Sequence, residues 1–266
     1  MVKECSKRRK VMRVAAVQMN ISWHDKEANY SKVSFLGAQA KKQNADLLVL
    51  PEMFSTGFSM EASVTSEPAD GPTPTFLRSL AHDLEINVVG GFVLDQGPGG
   101  RPRNVSLAVD RSGRDLAIYA KNHLIALLGE NKSYDPGDSV SPFEVDGMKG
   151  ACFICYDLRF PELFRLVAEQ CELVMVIASW PAVRQSHWEL LLRARAIENQ
   201  CFVVGVNRVG DGGGHSFSGG SAIIDPVGEI LAYGGNQEML VVADIDTSRV
   251  NEVRESMPFL KDRKVY

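Results

Sequence analysis

The stretch Gly150-Ala-Cys-Phe-Ile-Cys-Tyr-Asp-Leu-Arg-Phe-Pro-Glu162 places a cysteine at the junction of a strand and a helix. Residues 151–154 form an apolar run, which is typical of a strand that is covered on both faces. Residues 161–170 have the pattern of a helix. We therefore expect Cys155 to lie at the carboxyl end of a buried strand, where the sites of open α/β sheets are found.

Two other buried strands are followed by residues that could act together with a thiol. Residues 47–50 lead through a proline to Glu52, and residues 116–120 lead to Lys121. Neighbouring strands can bring such side chains together whatever their separation in the sequence. A thiol, a carboxylate and an ammonium group are the parts of an acyl-transfer site, and they favour hydrolysis of a carbon–nitrogen bond through a thioester.

Each of these residue types meets one requirement of amide hydrolysis. A thiolate from Cys155 would be the strongest common nucleophile near neutral pH. The carboxylate of Glu52 could take the thiol proton, return it to the departing ammonia and later activate water. The charge of Lys121 could stabilise the oxyanion, helped by the backbone N–H of Tyr156.

The order of the remaining elements predicts a mixed α/β fold. Helix-linked strands come first, hairpins occupy the middle of the chain, and both kinds follow, so we expect two mixed sheets packed face to face with helices outside. The predicted strands cover residues 11–19, 47–50, 87–93, 104–109, 116–120, 143–145, 150–154, 173–178, 202–207, 221–225, 229–233 and 238–245. The predicted helices cover residues 25–43, 73–84, 161–170, 187–200 and 247–257.

Composition limits the domain count and the class of partner. The chain has 266 residues, of which 45% are hydrophobic and 23% charged, and we expect one domain over residues 11–266. A net charge of −4 gives no reason to expect binding to nucleic acid or to an anionic membrane. No apolar run approaches the roughly 18–20 residues of a membrane span.

Cysteine and histidine usage predicts the compartment and the absence of a metal. An odd number of cysteines, five, without a signal peptide predicts reduced thiols and a cytoplasmic location. The histidines are scattered without the spacing of metal ligands, so we expect no metal or other cofactor. The basic residues 1–10 are predicted to form a solvated tail.

Longer segments of the chain carry a resemblance to a known family. The chain resembles the nitrilase superfamily of carbon–nitrogen hydrolases over roughly residues 13–245. The matching segments are Leu50-Pro-Glu-Met-Phe54, Lys121-Asn-His-Leu124, Gly129-Glu130, Cys155-Tyr-Asp-Leu-Arg-Phe-Pro-Glu162, Ser179-Trp-Pro-Ala182, His187-Trp-Glu-Leu-Leu-Leu-Arg-Ala-Arg-Ala-Ile-Glu-Asn-Gln200, Gly205-Val-Asn-Arg-Val-Gly210, Ser218-Gly-Gly-Ser221 and Asp225-Pro-Val-Gly-Glu229.

The resemblance implies a fold, a set of site residues and an assembly. The fold would be a four-layer α-β-β-α sandwich, and the family's Glu–Lys–Cys triad would fall on Glu52, Lys121 and Cys155. A further glutamate of the family falls on Glu130, where it would orient the lysine and the substrate. The resemblance also implies a homodimer, in which C-terminal residues 258–260 and 265–266 could act as a latch.

Two segments point to one substrate class within the superfamily. Phe54-Ser-Thr-Gly-Phe58 and Trp180-Pro-Ala-Val-Arg-Gln-Ser-His-Trp188 resemble the bacterial ω-amidases, which remove the terminal amide of 2-oxoglutaramate or 2-oxosuccinamate. Such a small-molecule substrate carries a carboxylate, so a cationic contact is expected. Arg159 and Arg184 are the candidates, with a structural ion pair as the alternative for each. Trp180 is either a wall of the pocket or a core residue.

Several alternatives stay open at this stage. The same triad could serve an N-carbamoyl amidase, an aliphatic amidase or a nitrilase, and the fold could belong to a non-catalytic binding protein. A Cys–His dyad with His123 or His187 is disfavoured because the local signature of a papain-like protease is missing. The glycine-rich residues 210–215 are predicted to form a surface loop, since no phosphate-loop lysine follows.

Overall fold

The computed structural model describes residues 11–264. The predicted basic tail and the predicted latch residues 265–266 lie outside this range. The strands are β1 Val11–Gln18, β2 Leu47–Val49, β3 Ser66–Glu67, β4 Asn87–Leu94, β5 Arg103–Val109, β6 Asp115–Ala120, β7 Phe143–Val145, β8 Met148–Ile154, β9 Leu173–Ala178, β10 Phe202–Asn207, β11 Val209–Gly212, β12 His215–Ser218, β13 Ala222–Ile224, β14 Ile230–Tyr233 and β15 Met239–Asp246.

The helices are fewer, and several are short. The α-helices are α1 Lys26–Lys42, α2 Ala62–Thr65, α3 Pro72–Leu84, α4 Glu130–Ser133, α5 Pro161–Arg165, α6 Gln185–Asn199 and α7 Thr247–Ser256, and short 3-10 helices cover Ala126–Leu128, Cys155–Arg159, Ala182–Arg184 and Phe259–Asp262. No helix within residues 11–264 combines the length and the apolar character needed to cross a bilayer.

Two mixed sheets are built as the sequence predicts. The first has the order β15-β1-β2-β4-β5-β6, with β3 beside β4, and the second has the order β14-β13-β10-β9-β8-β7. The helix-linked strands β1, β2 and β4 pair in parallel, as do β8, β9 and β10. The hairpin strands add antiparallel pairs on either side of these centres.

The alternation of side chains along β1 separates the layers. Val14 and Ala16 belong to the core between the two sheets, while Ala15 and Val17 belong to the core beneath α1 and α3. On the far side, α6 packs against β10 and α5 packs against α6. Successive strand residues point to opposite faces, so one apolar run supplies two cores. The expected four-layer α-β-β-α sandwich is confirmed.

Three local predictions were wrong. The strand over residues 116–120, which was expected to be buried, is β6 at the edge of the first sheet, and of its residues only Tyr119 is buried. The glycine-rich segment is a hairpin of β11 and β12, whose two-residue turn places Gly213 and Gly214 at positive φ of 58° and 79°. Such a turn is the geometry that two glycines favour between paired strands. The helix expected over residues 161–170 ends at Arg165 as a regular α-helix, and the backbone continues in i→i+3 turns such as Val167 N to Phe164 O.

Candidate active site

Glu52, Lys121 and Glu130 form a fully buried ion cluster. The Nζ atom of Lys121 lies 2.9 Å from Oε1 of Glu52 and 2.9 Å from Oε1 of Glu130. Burial by itself lowers the pKa of Lys121, but the negative charges of Glu130 and Glu52 outweigh burial, and the net shift of that pKa is upward. The lysine therefore stays charged, and with both carboxylates ionised the cluster carries one excess negative charge.

N–H donors hold all four carboxylate oxygens of the cluster. The side-chain Nδ2 of Asn104 donates to Oε1 of Glu52 at 2.8 Å and to Oε1 of Glu130 at 3.1 Å. The backbone N–H of Ser179 donates to Oε2 of Glu52 at 2.8 Å, and that of Ile125 donates to Oε2 of Glu130 at 2.8 Å. Buried charges are tolerated when they are paired and hydrogen-bonded in this way, so both carboxylates are fixed in place.

Cys155 lies at a sharp bend between β8 and the 3-10 helix Cys155–Arg159. Its φ of 47° is a left-handed conformation. A non-glycine residue held there costs about 1–3 kcal/mol and is often found at functional sites. Met53, directly after Glu52, also has a positive φ, of 45°. The chain thus turns sharply at both strand ends.

The electrostatic surroundings of Cys155 keep its sulfur protonated at rest. Burial raises the pKa of the thiol well above its ordinary value, the negative charge of Glu52 adds to the rise, and the positive charge of Lys121 opposes it. A thiolate added to the cluster would bring a second excess negative charge. A proton passed from the thiol to Glu52 leaves the total charge unchanged, so a nearby carboxylate can relieve this penalty.

A small pocket that is partly open to solvent lies beside the cysteine, which forms part of its lining. Among the described residues that line it, two carry guanidinium groups and none carries a carboxylate, and aromatic and apolar side chains form its walls. The lining residues are Phe58, Ile125, Leu128, Cys155, Tyr156, Arg159, Ser179, Trp180, Pro181 and Arg184.

The predicted substrate contacts all line this pocket. Trp180 is both buried and part of the wall, and its Nε1 donates to the backbone oxygen of Arg184 at 2.8 Å. The guanidinium of Arg159 lies over the Trp180 ring, 4.6 Å from its centroid, and its Nη1 is 3.3 Å from Nδ1 of His187. Within residues 11–264 neither arginine pairs with a carboxylate, so the structural ion-pair alternative has no support there.

The two histidines that were considered as bases have other partners. Nδ1 of His123 is 2.9 Å from Oδ1 of Asp157, and His187 faces Arg159. Among the described residues no cluster of histidine, cysteine or acidic side chains could hold a metal ion.

Sequence reasoning missed Asn104, Ser179 and Asp157. Asn104 is a polar side chain near the start of the buried strand β5. A buried amide needs hydrogen-bond partners, so an asparagine in such a strand could have indicated a nearby polar site. Ser179 acts through a backbone N–H, which every residue type except proline would supply. Asp157 is buried inside the motif that contains Cys155, and two of its partners, Tyr119 and His123, come from a distant segment of the chain.

Comparisons with known proteins agree with the geometry. The sequence model for carbon-nitrogen hydrolases matches residues 13–255. The chain is 36% identical to the 2-oxoglutaramate amidase of Bacillus subtilis, over 94% of this chain and 96% of that protein. The structure resembles XC1258 from Xanthomonas campestris, a CN-hydrolase superfamily protein with an arsenic adduct in its active site, with a TM-score of 0.90 at 34% identity, covering 97% of this chain and 98% of the other.

A fourth comparison concerns a covalent adduct. The structure also resembles a mutant of the amidase from Nesterenkonia sp. AN1, which shows covalent addition of the acetamide moiety of fluoroacetamide at the active-site cysteine. The TM-score is 0.84 at 29% identity, covering 95% of this chain and 94% of that one.

Proposed function

The chain belongs to the carbon-nitrogen hydrolase family, and on that premise we propose that it is an ω-amidase acting on 2-oxoglutaramate or 2-oxosuccinamate. As a family member it hydrolyses carbon–nitrogen bonds other than peptide bonds, and its amidase relatives support an amide as substrate. The observation that carries the finer assignment is the pocket, where Arg159 and Arg184 share the space beside Cys155 with no acidic side chain among the described lining residues. This arrangement suits a small amide with a carboxylate at its other end.

In the first half of the proposed reaction, the thiol proton of Cys155 passes to Glu52 and the sulfur attacks the amide carbon. Lys121 and the backbone N–H of Tyr156 stabilise the negative charge that develops on the carbonyl oxygen. The carbon–nitrogen bond then breaks, the proton on Glu52 moves to the leaving nitrogen, and ammonia departs from a thioester on Cys155.

In the second half, water hydrolyses the thioester. Glu52 takes a proton from the water as its oxygen attacks the acyl carbon. The carbon–sulfur bond breaks, the proton returns to the sulfur of Cys155, and the 2-oxo acid is released. Each group thus ends in the state in which it began.

Glu130 has a distinct part in this scheme. While Glu52 carries the proton it loses its charge and its attraction for Lys121. Glu130 binds the same Nζ atom at the same distance of 2.9 Å, so it keeps the ammonium in place during this step. The second carboxylate therefore acts as a supporting residue that fixes the lysine.

An ammonia-release panel tests the proposed function. It contains 2-oxoglutaramate, 2-oxosuccinamate, glutamine, N-carbamoyl amino acids, aliphatic amides and simple nitriles. We expect the highest kcat/KM on one of the two 2-oxo amides. Turnover of another panel member with none of either 2-oxo amide would overturn the assignment and would leave the family membership intact.

Removing the charge of either pocket arginine should weaken recognition of the substrate carboxylate. For Arg159→Met or Arg184→Met we expect kcat/KM on 2-oxoglutaramate to fall about 10- to 100-fold, since a hydrogen bond to a charged group contributes about 1.5–3 kcal/mol. The loss should appear mainly in KM. Steady-state kinetics on 2-oxoglutaramate and on butyramide, which has no carboxylate, measure it.

The neutral amide supplies the control within each variant. Butyramide turnover should change little, and Arg193→Met, on the outer face of α6, should leave both substrates unaffected. Equal losses on the charged and the neutral amide would show that the arginine maintains the pocket wall and does not recognise the carboxylate.

A further inference from the structure

We propose that Asp157 is a positioning residue that fixes the segment bearing Lys121 against the turn bearing Cys155. The proposal rests on the proposed chemistry of these two residues and extends it to a group that does not touch the substrate pocket. Asp157 is fully buried, although a carboxylate is among the groups that are most costly to bury. Its contacts explain why it is there.

Both oxygens of Asp157 accept two hydrogen bonds each. Oδ1 accepts from the backbone N–H and from Nδ1 of His123, both at 2.9 Å. Oδ2 accepts from the hydroxyl of Tyr119 at 2.8 Å and from the backbone N–H of Ile154 at 3.1 Å.

These donors lie close in sequence to the two reacting groups. Tyr119 and His123 stand two residues before and two residues after Lys121, and Ile154 directly precedes Cys155. The lysine segment follows β6 of the first sheet, whereas the cysteine turn follows β8 of the second sheet. The buried carboxylate of Asp157 therefore links the end of β6 in one sheet to the end of β8 in the other through hydrogen bonds.

The local backbone needs such a restraint. Cys155 is held at a positive φ, and a conformation of this kind persists only where the surroundings impose it. The phenol of Tyr119 stays a donor, because burial, with the negative charge of Asp157 second, raises its pKa far above the ordinary value. His123 stacks on Phe160 at a centroid distance of 3.7 Å, which fixes the imidazole as well.

Asparagine at this position tests the proposal with almost no change of shape. In Asp157→Asn an amide NH₂ replaces one oxygen and then faces the backbone N–H of either His123 or Ile154, so at least that hydrogen bond is lost. We expect kcat to fall about 100-fold with KM within about threefold, because misplacement of reacting groups by about 1 Å has effects of that size. Tyr119→Phe removes one bond, and its kcat should fall about three- to tenfold.

A matched control separates positioning from folding. Asp225 is also buried and also holds a turn, accepting from the backbone N–H groups of Val227 and Glu229, but it lies outside the site. Asp225→Asn should lower the urea midpoint and leave kcat unchanged. The assays use whichever panel amide the wild-type protein hydrolyses, so failure of the ω-amidase assignment does not affect this test.

Two results would overturn the proposal. One is an Asp157→Asn protein that loses stability as Asp225→Asn does while its kcat stays within threefold of wild type. If Asp157→Asn does not fold, Tyr119→Phe decides the matter, and an unchanged kcat in that variant would assign Asp157 a purely structural role.

Discussion

Replacing Cys155 with alanine is expected to abolish amide hydrolysis while the protein stays folded. Removal of the nucleophile from a hydrolase whose catalytic residues act as a unit lowers kcat by about 10⁶-fold, and we expect a loss of that order here. The change removes a single sulfur atom at the edge of a pocket, so little packing is lost. Ammonia release measures the activity, and intact-mass analysis of acid-quenched wild-type protein should detect an acyl adduct.

Cys152 offers the matched control for this experiment. It is a buried cysteine three positions earlier in the same segment, and burial raises the pKa of its thiol to about 12. The charge that acts on the Cys152 thiol is the negative charge of Asp157, which raises its pKa further, whereas the ammonium of Lys121 lowers the pKa of Cys155. Cys152→Ala should lower stability and keep kcat. Substantial activity in Cys155→Ala, or an adduct mapped to Cys152, would contradict the mechanism.

The convergence of Glu52 and Lys121 was predictable because each follows a predicted strand, although β6, the strand before Lys121, is not buried. In the first sheet β4 is parallel to β2, and two antiparallel pairings lead from β4 through β5 to β6, so β2 and β6 run in the same direction. The residues that follow these two strands, 69 positions apart, therefore lie at the same edge of the sheet. The position of Glu130 beside Lys121 came from the family resemblance, and the contact of 2.9 Å agrees with it. The catalytic roles, the homodimer and the cytoplasmic location stay predictions.

The hydrogen bonds around this cluster could not be predicted from the pattern. Asn104 bridges the carboxylate of Glu52, which precedes it in the chain, and that of Glu130, which follows it. Nothing in the periodicity of β5 indicates which groups an inward-pointing amide will contact. Ser179 contributes a backbone N–H, which leaves no trace in residue identity. Apolar periodicity reports which face of an element is buried, but the choice of polar partners depends on how the two sheets pack.

Lys121→Met is expected to damage both activity and stability. Loss of one oxyanion donor costs about 10²–10³-fold in kcat, and we expect at least that loss. The methionine also leaves Glu52 and Glu130 buried without a counter-charge, and breaking a buried ion pair on one side costs about 3–5 kcal/mol. Ammonia release and urea unfolding at pH 7 measure the two effects, with Lys132→Met, an exposed lysine nearby, as the control.

The stability loss should depend on pH with a defined sign. The pKa of Lys121 is raised by folding above its ordinary 10.5, so the ammonium contributes its full stabilisation below pH 10.5 and loses it as the pH rises toward the folded value. The difference in unfolding free energy between wild type and Lys121→Met should therefore be constant near neutral pH and shrink above pH 10.5. A difference that grows at alkaline pH would contradict the proposed charge state of the lysine.

A double variant separates the two functions of the lysine. In Lys121→Met with Glu130→Gln, one of the two buried carboxylates becomes neutral, so part of the lost stability should return. Activity should not return, because the oxyanion still has no ammonium beside it. Recovery of stability without turnover would show that Lys121 is needed for more than balancing the charges of Glu52 and Glu130. Recovery of both would mean that the ammonium serves only the fold.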